Sequence, residues 1–235
     1  MTDATRDVVF DGLDWLKHVD SDRDLSVVYL AGYGFLDSDG RFWFLTRESD
    51  TSKLRLTAIS AGDLLDYIGK MSGKKVLFLD SCYAGAAFNT GKPLSGEKTV
   101  TAKEVPESSA TGPVKETPEM PAGARAGGAN ATSDMIRLIA DFSTAGTGAV
   151  VFPASNGREC AYESEKWDNH SAFGKALIEA IGEGKASADS SGLITLATLD
   201  LYIDERVKEL TGGLQHPVMY QPNSVRDFPI ALARP

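Results

Sequence analysis

This chain has few of the residues that metal and redox chemistry draw on. Two cysteines, Cys82 and Cys160, and three histidines, His18, His170 and His216, are all it carries in 235 residues. Two thiols are too few for a disulfide framework, so a reducing compartment is the default and the cytoplasm the expected location. No His and Cys cluster has the spacing of a zinc site. No Gly-rich phosphate loop ending in Gly-Lys-Ser/Thr is present. The stretch Ser187 to Thr198 has Asp189 and Gly192 but offers Ser187, Ser191 and Thr198 where a calcium loop needs carboxylates. No metal or other cofactor is therefore expected. Positive charge is also short: 24 Lys and Arg stand against 33 Asp and Glu, for a net charge of -9. That argues against nucleic acid or an anionic membrane as partner, since both call for a basic surface. No apolar run approaches the ~20 residues of a membrane span, and no signal-peptide pattern opens the chain at Met1.

What remains is an ordinary globular composition, 42% hydrophobic and 24% charged, long enough for one sizeable domain or two small ones. The stretch that organises it is Lys74–Gly85, KKVLFLDSCYAG. Val76, Leu77, Phe78 and Leu79 form a short unbroken apolar run between lysines and Asp80, which suits a strand buried on both faces of a parallel sheet. Asp80, Ser81 and Cys82 are expected to leave the sheet at its carboxyl end, where open α/β sheets place their chemistry. Upstream, Val27–Ala31 reads as a second buried strand, in Leu25–Ala31, ending in a turn at Gly32-Tyr33-Gly34. Before it, Thr5 is placed to cap a helix over Met1–Val19 with Val9, Leu13 and Leu16 at helical spacing. After it come a turn at Asp37–Gly40, a strand at Phe42–Thr46 and a helix from Ser60 to Ile68, with Asp63 completing a capping-box variant.

From 86 to 132 the texture changes to Gly, Pro, Ala, Ser, Thr, Lys and Glu with almost no large apolar residue. Such a segment cannot bury enough surface to offset its ordering entropy and reads as a flexible linker. Beyond it, Ser133 or Asp134 caps a helix carrying Ile136, Ile139 and Ala140. Thr147–Phe152 is the next buried strand, followed by Ala154, Ser155 and Asn156. Phe173, Leu177 and Ile181 mark one helix. Leu196, Leu199, Ile203, Val207 and Leu210 mark a longer one, capped by Thr195 and stopped at Gly212-Gly213. His216-Pro217 opens a last extended piece, Val218–Gln221.

The two turns, AGYGF and LDSCYAG, taken with AVVFPASNGRECAYE, SAFGKALIEAI and the closing DFPIAL, resemble the caspase-like cysteine peptidases, on their bacterial and metacaspase-like side. In that family one strand ends in Gly-His-Gly and the next in Asp-Ser/Thr-Cys-His/Tyr-Ala/Ser-Gly. The second motif is matched fully, and the first is matched except that Tyr33 stands in the histidine's place. The resemblance implies an α/β, three-layer caspase-like fold: a mostly parallel central sheet with helices on both faces. It divides the chain into a large-subunit-like part, 1–85, an intersubunit-type linker, 86–132, and a small-subunit-like part, 133–235. The family's first strand is missing. The chain thus reads as a fragment of a larger parent, or as a divergent form completed by an N-terminal segment from elsewhere.

The same resemblance implies the chemistry. Cys82 would be the nucleophile of a cysteine endopeptidase acting through a thioester on a peptide or protein substrate. Tyr33 would occupy the dyad histidine's position, and the backbone N–H groups of Gly34 and Cys82 would bind the oxyanion. Asp80 would line a pocket for Arg or Lys before the scissile bond, with Ser155 also on the substrate side; a cap on the turn is the alternative role for Asp80. Ala31 stands where that branch has a serine. Lys92, Lys98, Lys103, Lys115 and Arg125 would be self-cleavage sites. An unperturbed thiol has a pKa near ~8.5 and a phenol near ~10, so Tyr33 is a poor substitute for the acid that protonates the leaving amine. The expected activity is impaired, and a pseudopeptidase that binds peptides or regulates a partner is the alternative. His18, His170 and His216 lie outside both motifs and read as surface or packing residues, as does Cys160.

Overall fold

The computed structural model describes residues 4–37, 41–81, 148–156, 159–187 and 190–233. Cys82, the linker 86–132, its five basic residues and the expected helix beginning at 133 or 134 lie outside the described residues. No helix among the described residues is long and apolar enough to cross a membrane.

The chain opens with α1 (Arg6–Val19), shorter at its start than expected, where the Thr5 side chain accepts the Val8 N–H. Then come β1 (Leu25–Leu36), β2 (Phe42–Leu45), the single-turn α2 (Leu54–Thr57), β3 (Ile59–Ser60), α3 (Ala61–Gly69) and β4 (Lys74–Ser81). The second half holds β5 (Ala149–Pro153), the two-residue strands β6 (Glu163–Ser164) and β7 (His170–Ser171), and α4 (Ala172–Leu177), which widens into a π-helical turn over Ile178–Gly182. It closes with β8 (Leu193–Thr195), α5 (Leu196–Thr211) and β9 (Pro229–Leu232). Thr195 and Thr198 satisfy each other's backbone N–H groups at the start of α5, and Gly212, at φ 62°, ends it as the sequence predicts.

The central sheet has the order β3-β2-β1-β4-β5. β1, β4 and β5 run parallel, and β2 and β3 are antiparallel additions. Val218 and Tyr220 bond to Pro153 and Val151 beside β5, which accounts for the expected extended piece there. β4 is buried on both faces, as its unbroken apolar run requires. Leu77 and Leu79 pack with Leu13 of α1 and Leu64 and Ile68 of α3. Val76 and Phe78 point the other way, against Phe173 of α4 and Leu199 and Ile203 of α5. Fully burying side chains of this size stabilises by about 1.5–3 kcal/mol each, so this one strand ties both helix pairs to the sheet. The molecule is thus a mixed α/β protein with a mostly parallel central sheet and helices packed on it.

Two expectations need correction. Gly32-Tyr33-Gly34 is not a turn: β1 continues through it to Leu36, because Tyr33–Leu36 pair with Leu45–Phe42 of β2. Neither glycine has a positive φ. Gly32 is required for space instead, since a Cβ there would lie 2.9 Å from the Phe44 ring. Likewise Asp80 and Ser81 do not leave the sheet; both are residues of β4, laddered to Ala31 and Gly32. The short elements α2, β3 and β6–β9 have too few residues to show a period in sequence.

Candidate functional site

The parallel β1–β4 ladder decides where the two motifs lie. Ala31 faces Asp80 and Gly32 faces Ser81. Tyr33 and Gly34 follow Gly32 on one strand, and Cys82 follows Ser81 in the chain on the other. The described parts of both motifs therefore lie side by side at the carboxyl ends of β1 and β4. Side chains of a strand alternate between faces and laddered residues share one, so Tyr29, Ala31 and Tyr33 stand on the face to which Asp80 points. Tyr33 is exposed, and Gly34 is buried opposite Phe44 of β2.

Asp80 is the centre of the described site. It is 5% exposed. Its Oδ2 accepts a hydrogen bond from the Tyr29 hydroxyl at 2.6 Å and another from the Ser171 hydroxyl. Ser171 is also the N-cap of α4, accepting the Gly174 N–H at 2.8 Å. Gly174 leaves room for this arrangement: a Cβ on it would lie 2.9 Å from Ser171 Oγ and 3.2 Å from the Tyr29 hydroxyl. Burial pushes the Asp80 carboxyl above its usual 3.8, the hydroxyls of Ser171 and Tyr29 pull it back, and the charge of Glu163 adds to the rise. Burial and the neighbouring carboxylate raise the Tyr29 phenol in turn. Asp80 is thus no turn cap. Both hydrogen bonds that it accepts among the described residues fall on Oδ2.

Tyr29, Ser171 and Gly174 escaped the sequence reading. Tyr29 looked like one more apolar residue of a buried strand, whereas it is 47% exposed. Period-two alternation along β1, combined with the β1–β4 pairing, places it beside Asp80. The Ser171 contact spans 91 residues of sequence and left no local signal.

Ser155 lies just past β5 and is fully buried, with its hydroxyl 3.5 Å from the Ser81 carbonyl. It joins the exits of β4 and β5 and does not face solvent. The Ser81 hydroxyl is buried with no hydrogen bond among the described residues. Gln215, fully buried, braces the same corner: its Nε2 donates to the Ala154 carbonyl at 2.7 Å, and its Oε1 accepts from the Tyr162 N–H at 3.0 Å.

The histidines are placed elsewhere or turned away. His18 lies on α1 with Nδ1 2.6 Å from the Asp14 carbonyl, at the end of the helix that leads to the start of β1. His216 Nδ1 lies 2.8 Å from Glu159 Oε1, and its N–H donates to Oε2. His170 precedes Ser171 in β7, so alternation points it away from Asp80, and it is exposed. Cys160 is half-buried. No group of three or more His, Cys, Asp or Glu among the described residues is arranged to hold a metal ion. A groove of about 400 Å³ between α1 and α3 is lined by Arg6, Phe10 and Tyr67 and lies apart from Asp80.

No family model matches the sequence, and no curated protein matches it. Among solved structures the chain is similar to protein GSU0716 from Geobacter sulfurreducens, known from a crystal structure. The TM-score is 0.52 and the identity 12%, over 98% of this chain and 80% of that one. At that identity the likeness speaks to the fold alone.

Proposed function

We propose that this chain is a caspase-like cysteine peptidase domain with the family's three-layer arrangement, built to recognise a basic residue and weakened in its chemistry by Tyr33. The observation that carries the reading is the β1–β4 register. It brings Tyr33 and Gly34 to the strand edge where Asp80 and Ser81 end β4 and Cys82 follows. Asp80 supplies a buried carboxylate with one oxygen held by two hydroxyls and the other without a hydrogen bond among the described residues, the oxygen that would meet a cationic side chain. Charge-assisted hydrogen bonds of that kind are about twice as strong as neutral ones.

In the proposed reaction the Cys82 thiolate adds to the scissile carbonyl, and backbone N–H groups of Cys82 and Gly34 hold the oxyanion. The C–N bond breaks, the amine leaves with a proton, and water then hydrolyses the thioester to free acid and thiol. The proton for the amine is the weak step. A phenol of pKa near ~10 is a mismatched acid, and loss of a matched one typically costs ~10²–10⁴-fold in rate.

A second reading, a pseudopeptidase that binds peptides without cutting them, is favoured by Tyr33 together with the placement of the histidines. His216 is engaged by Glu159, His18 lies on α1, and His170 faces away from Asp80.

The test is a parallel assay of the chain, Tyr33→His and Cys82→Ala on fluorogenic Arg, Lys and Asp peptides, with intact mass of each sample. The expected result is cleavage after Arg or Lys that rises about 10²-fold or more in Tyr33→His and vanishes in Cys82→Ala. Activity only in Tyr33→His selects the pseudopeptidase. Cleavage that survives Cys82→Ala, or that prefers Asp, refutes the proposal.

A further inference from the structure

A second carboxylate stands beside Asp80. Glu163 opens β6, and the β6–β7 ladder sets it opposite Ser171. Directly opposed residues of an antiparallel pair share a face, with Cβ atoms about 4.5–5.5 Å apart. Ser171 turns its hydroxyl to Asp80 Oδ2. Glu163 therefore projects on the side of the β6–β7 hairpin that meets Asp80. Its charge acts there, raising both the Asp80 carboxyl and the Tyr29 phenol. Unlike Asp80, Glu163 is exposed.

The backbone that carries Glu163 is fixed from several directions. Tyr162, the residue before it, donates its N–H to Gln215 Oε1 at 3.0 Å, and its carbonyl accepts the Ala172 N–H at 2.8 Å. Trp167, buried between the two strands of the hairpin, packs into the core that holds Phe78, Phe152 and Phe173. Ser171 ties the second strand to α4 through the Gly174 N–H and to the sheet through Asp80. The hairpin thus presents Glu163 at one place on the rim of the Asp80 site, which is what selective recognition asks of a side chain.

We propose, resting on the reading of Asp80 as the site for a basic residue, that Glu163 is a second specificity-determining residue there and that the two carboxylates together select arginine over lysine. Asp80 is buried, so only the head of a long side chain reaches it, and Glu163 stands at the rim. A guanidinium is planar and spreads five N–H donors over its edges, so it can bond Asp80 along one edge and Glu163 along another. An ammonium carries its three donors on one atom and serves one of the two carboxylates. A cation shared between them also relieves the repulsion that Glu163 exerts on Asp80. An exposed charge acting only at a distance would favour arginine and lysine alike, and that difference is what the experiment reads.

The experiment uses the full chain carrying Cys82→Ala, alone and with Glu163→Gln or Asp80→Asn. Anisotropy measures the binding of fluorescent peptides that differ only in having arginine, lysine or neutral citrulline at one position. The arginine peptide should bind about tenfold more tightly than the lysine peptide, and both more tightly than the citrulline peptide. Glu163→Gln should weaken the arginine peptide about tenfold and the lysine peptide about twofold at most, so that arginine loses its advantage. Asp80→Asn should bring both basic peptides to the level of citrulline. Because Glu163 is exposed, the urea midpoint of Glu163→Gln should match that of its background, which ties the change in binding to the carboxylate. Equal binding of arginine and lysine before Glu163 is changed, equal losses for the two in Glu163→Gln, or an arginine preference that this variant leaves intact overturns the inference and leaves the proposed function standing. Three peptides that bind alike or not at all, or a basic preference that survives Asp80→Asn, refute the proposed function and this inference with it.

Discussion

Replacing Asp80 separates what the carboxylate does for the fold from what it does for recognition. Asp80→Asn keeps an oxygen that can accept from Tyr29 and Ser171 but removes the charge. Asp80→Ala removes both. Burial holds the Asp80 carboxyl above its usual 3.8 in the folded chain, so folding favours its protonated form. The stability this provides is full below pH 3.8 and is lost as pH rises through the raised value. Asp80→Asn has no such loss. Its stability relative to the parent should therefore rise with pH above about 3.8 and level off once the pH has passed the raised value. Asp80→Ala strands two hydroxyls, but Tyr29 is 47% exposed and can turn to water. The expected cost relative to Asp80→Asn is about 1–2 kcal/mol, or roughly 2–8 °C in Tm. In the Tyr33→His background both variants should lose about 10²-fold in kcat/KM on Arg and Lys peptides, and little on peptides with neutral residues there. Urea unfolding from pH 3 to 8 and the peptide assay read the two effects separately. An Asp80→Asn protein that is less stable than the parent at pH 7, and still prefers Arg and Lys, would refute the reasoning on both counts.

Three further outcomes test the frame around the site. Glu179 is 4% exposed; burial works to raise its carboxyl, and hydrogen bonds from Arg206 and Tyr202 outweigh this and leave it below its usual 4.5. Arg206→Ala should cost about 3 kcal/mol at pH 7, because it leaves a buried charge poorly paired, and the loss should shrink as pH falls through the lowered value; urea midpoints at pH 7 and pH 3 measure it. Gln215→Ala should cost about 2–4 kcal/mol in chemical unfolding, since the Ala154 carbonyl and the Tyr162 N–H lose their buried partner. Thr195→Ala should cost about 1 kcal/mol by the same measurement, through loss of the α5 cap.

The elements legible in the sequence are those whose period and ends agree. β4 shows itself as an apolar run bounded by Lys74, Lys75 and Asp80, and α5 as Leu196, Leu199, Ile203 and Val207 between Thr195 and Gly212. β1 extends past its sequence signal because glycine flanking a polar residue usually means a turn, whereas here pairing with β2 and the Phe44 ring demand glycine inside a strand. The pairing of β1 with β4 follows from both being apolar runs suited to a parallel sheet, although β2 and β3 intervene in the chain. The shell around Asp80 was not legible. Ser171 reaches it across 91 residues, and a serine at the start of a helix looks like a cap and nothing more. It is indeed that cap, and the same hydroxyl serves both Gly174 and Asp80.

That shared hydroxyl bears on how recognition and chemistry relate under the proposed function. Asp80 is oriented by Tyr29 from β1 and by Ser171 from the start of α4, and α4 is locked to the sheet through Phe173 against Phe78 and Phe152. Nothing in this chain of contacts passes through Tyr33. A change at the dyad position can therefore silence proton transfer while the carboxylate that selects a basic residue keeps its geometry. Peptide affinity and turnover should then be separable. Tyr33→His should raise kcat with little change in the binding constant of an Arg peptide measured by anisotropy on the Cys82→Ala form. A large change in that binding constant would mean that Tyr33 is part of the recognition surface, and that the phenol occupies its position for contact with the peptide.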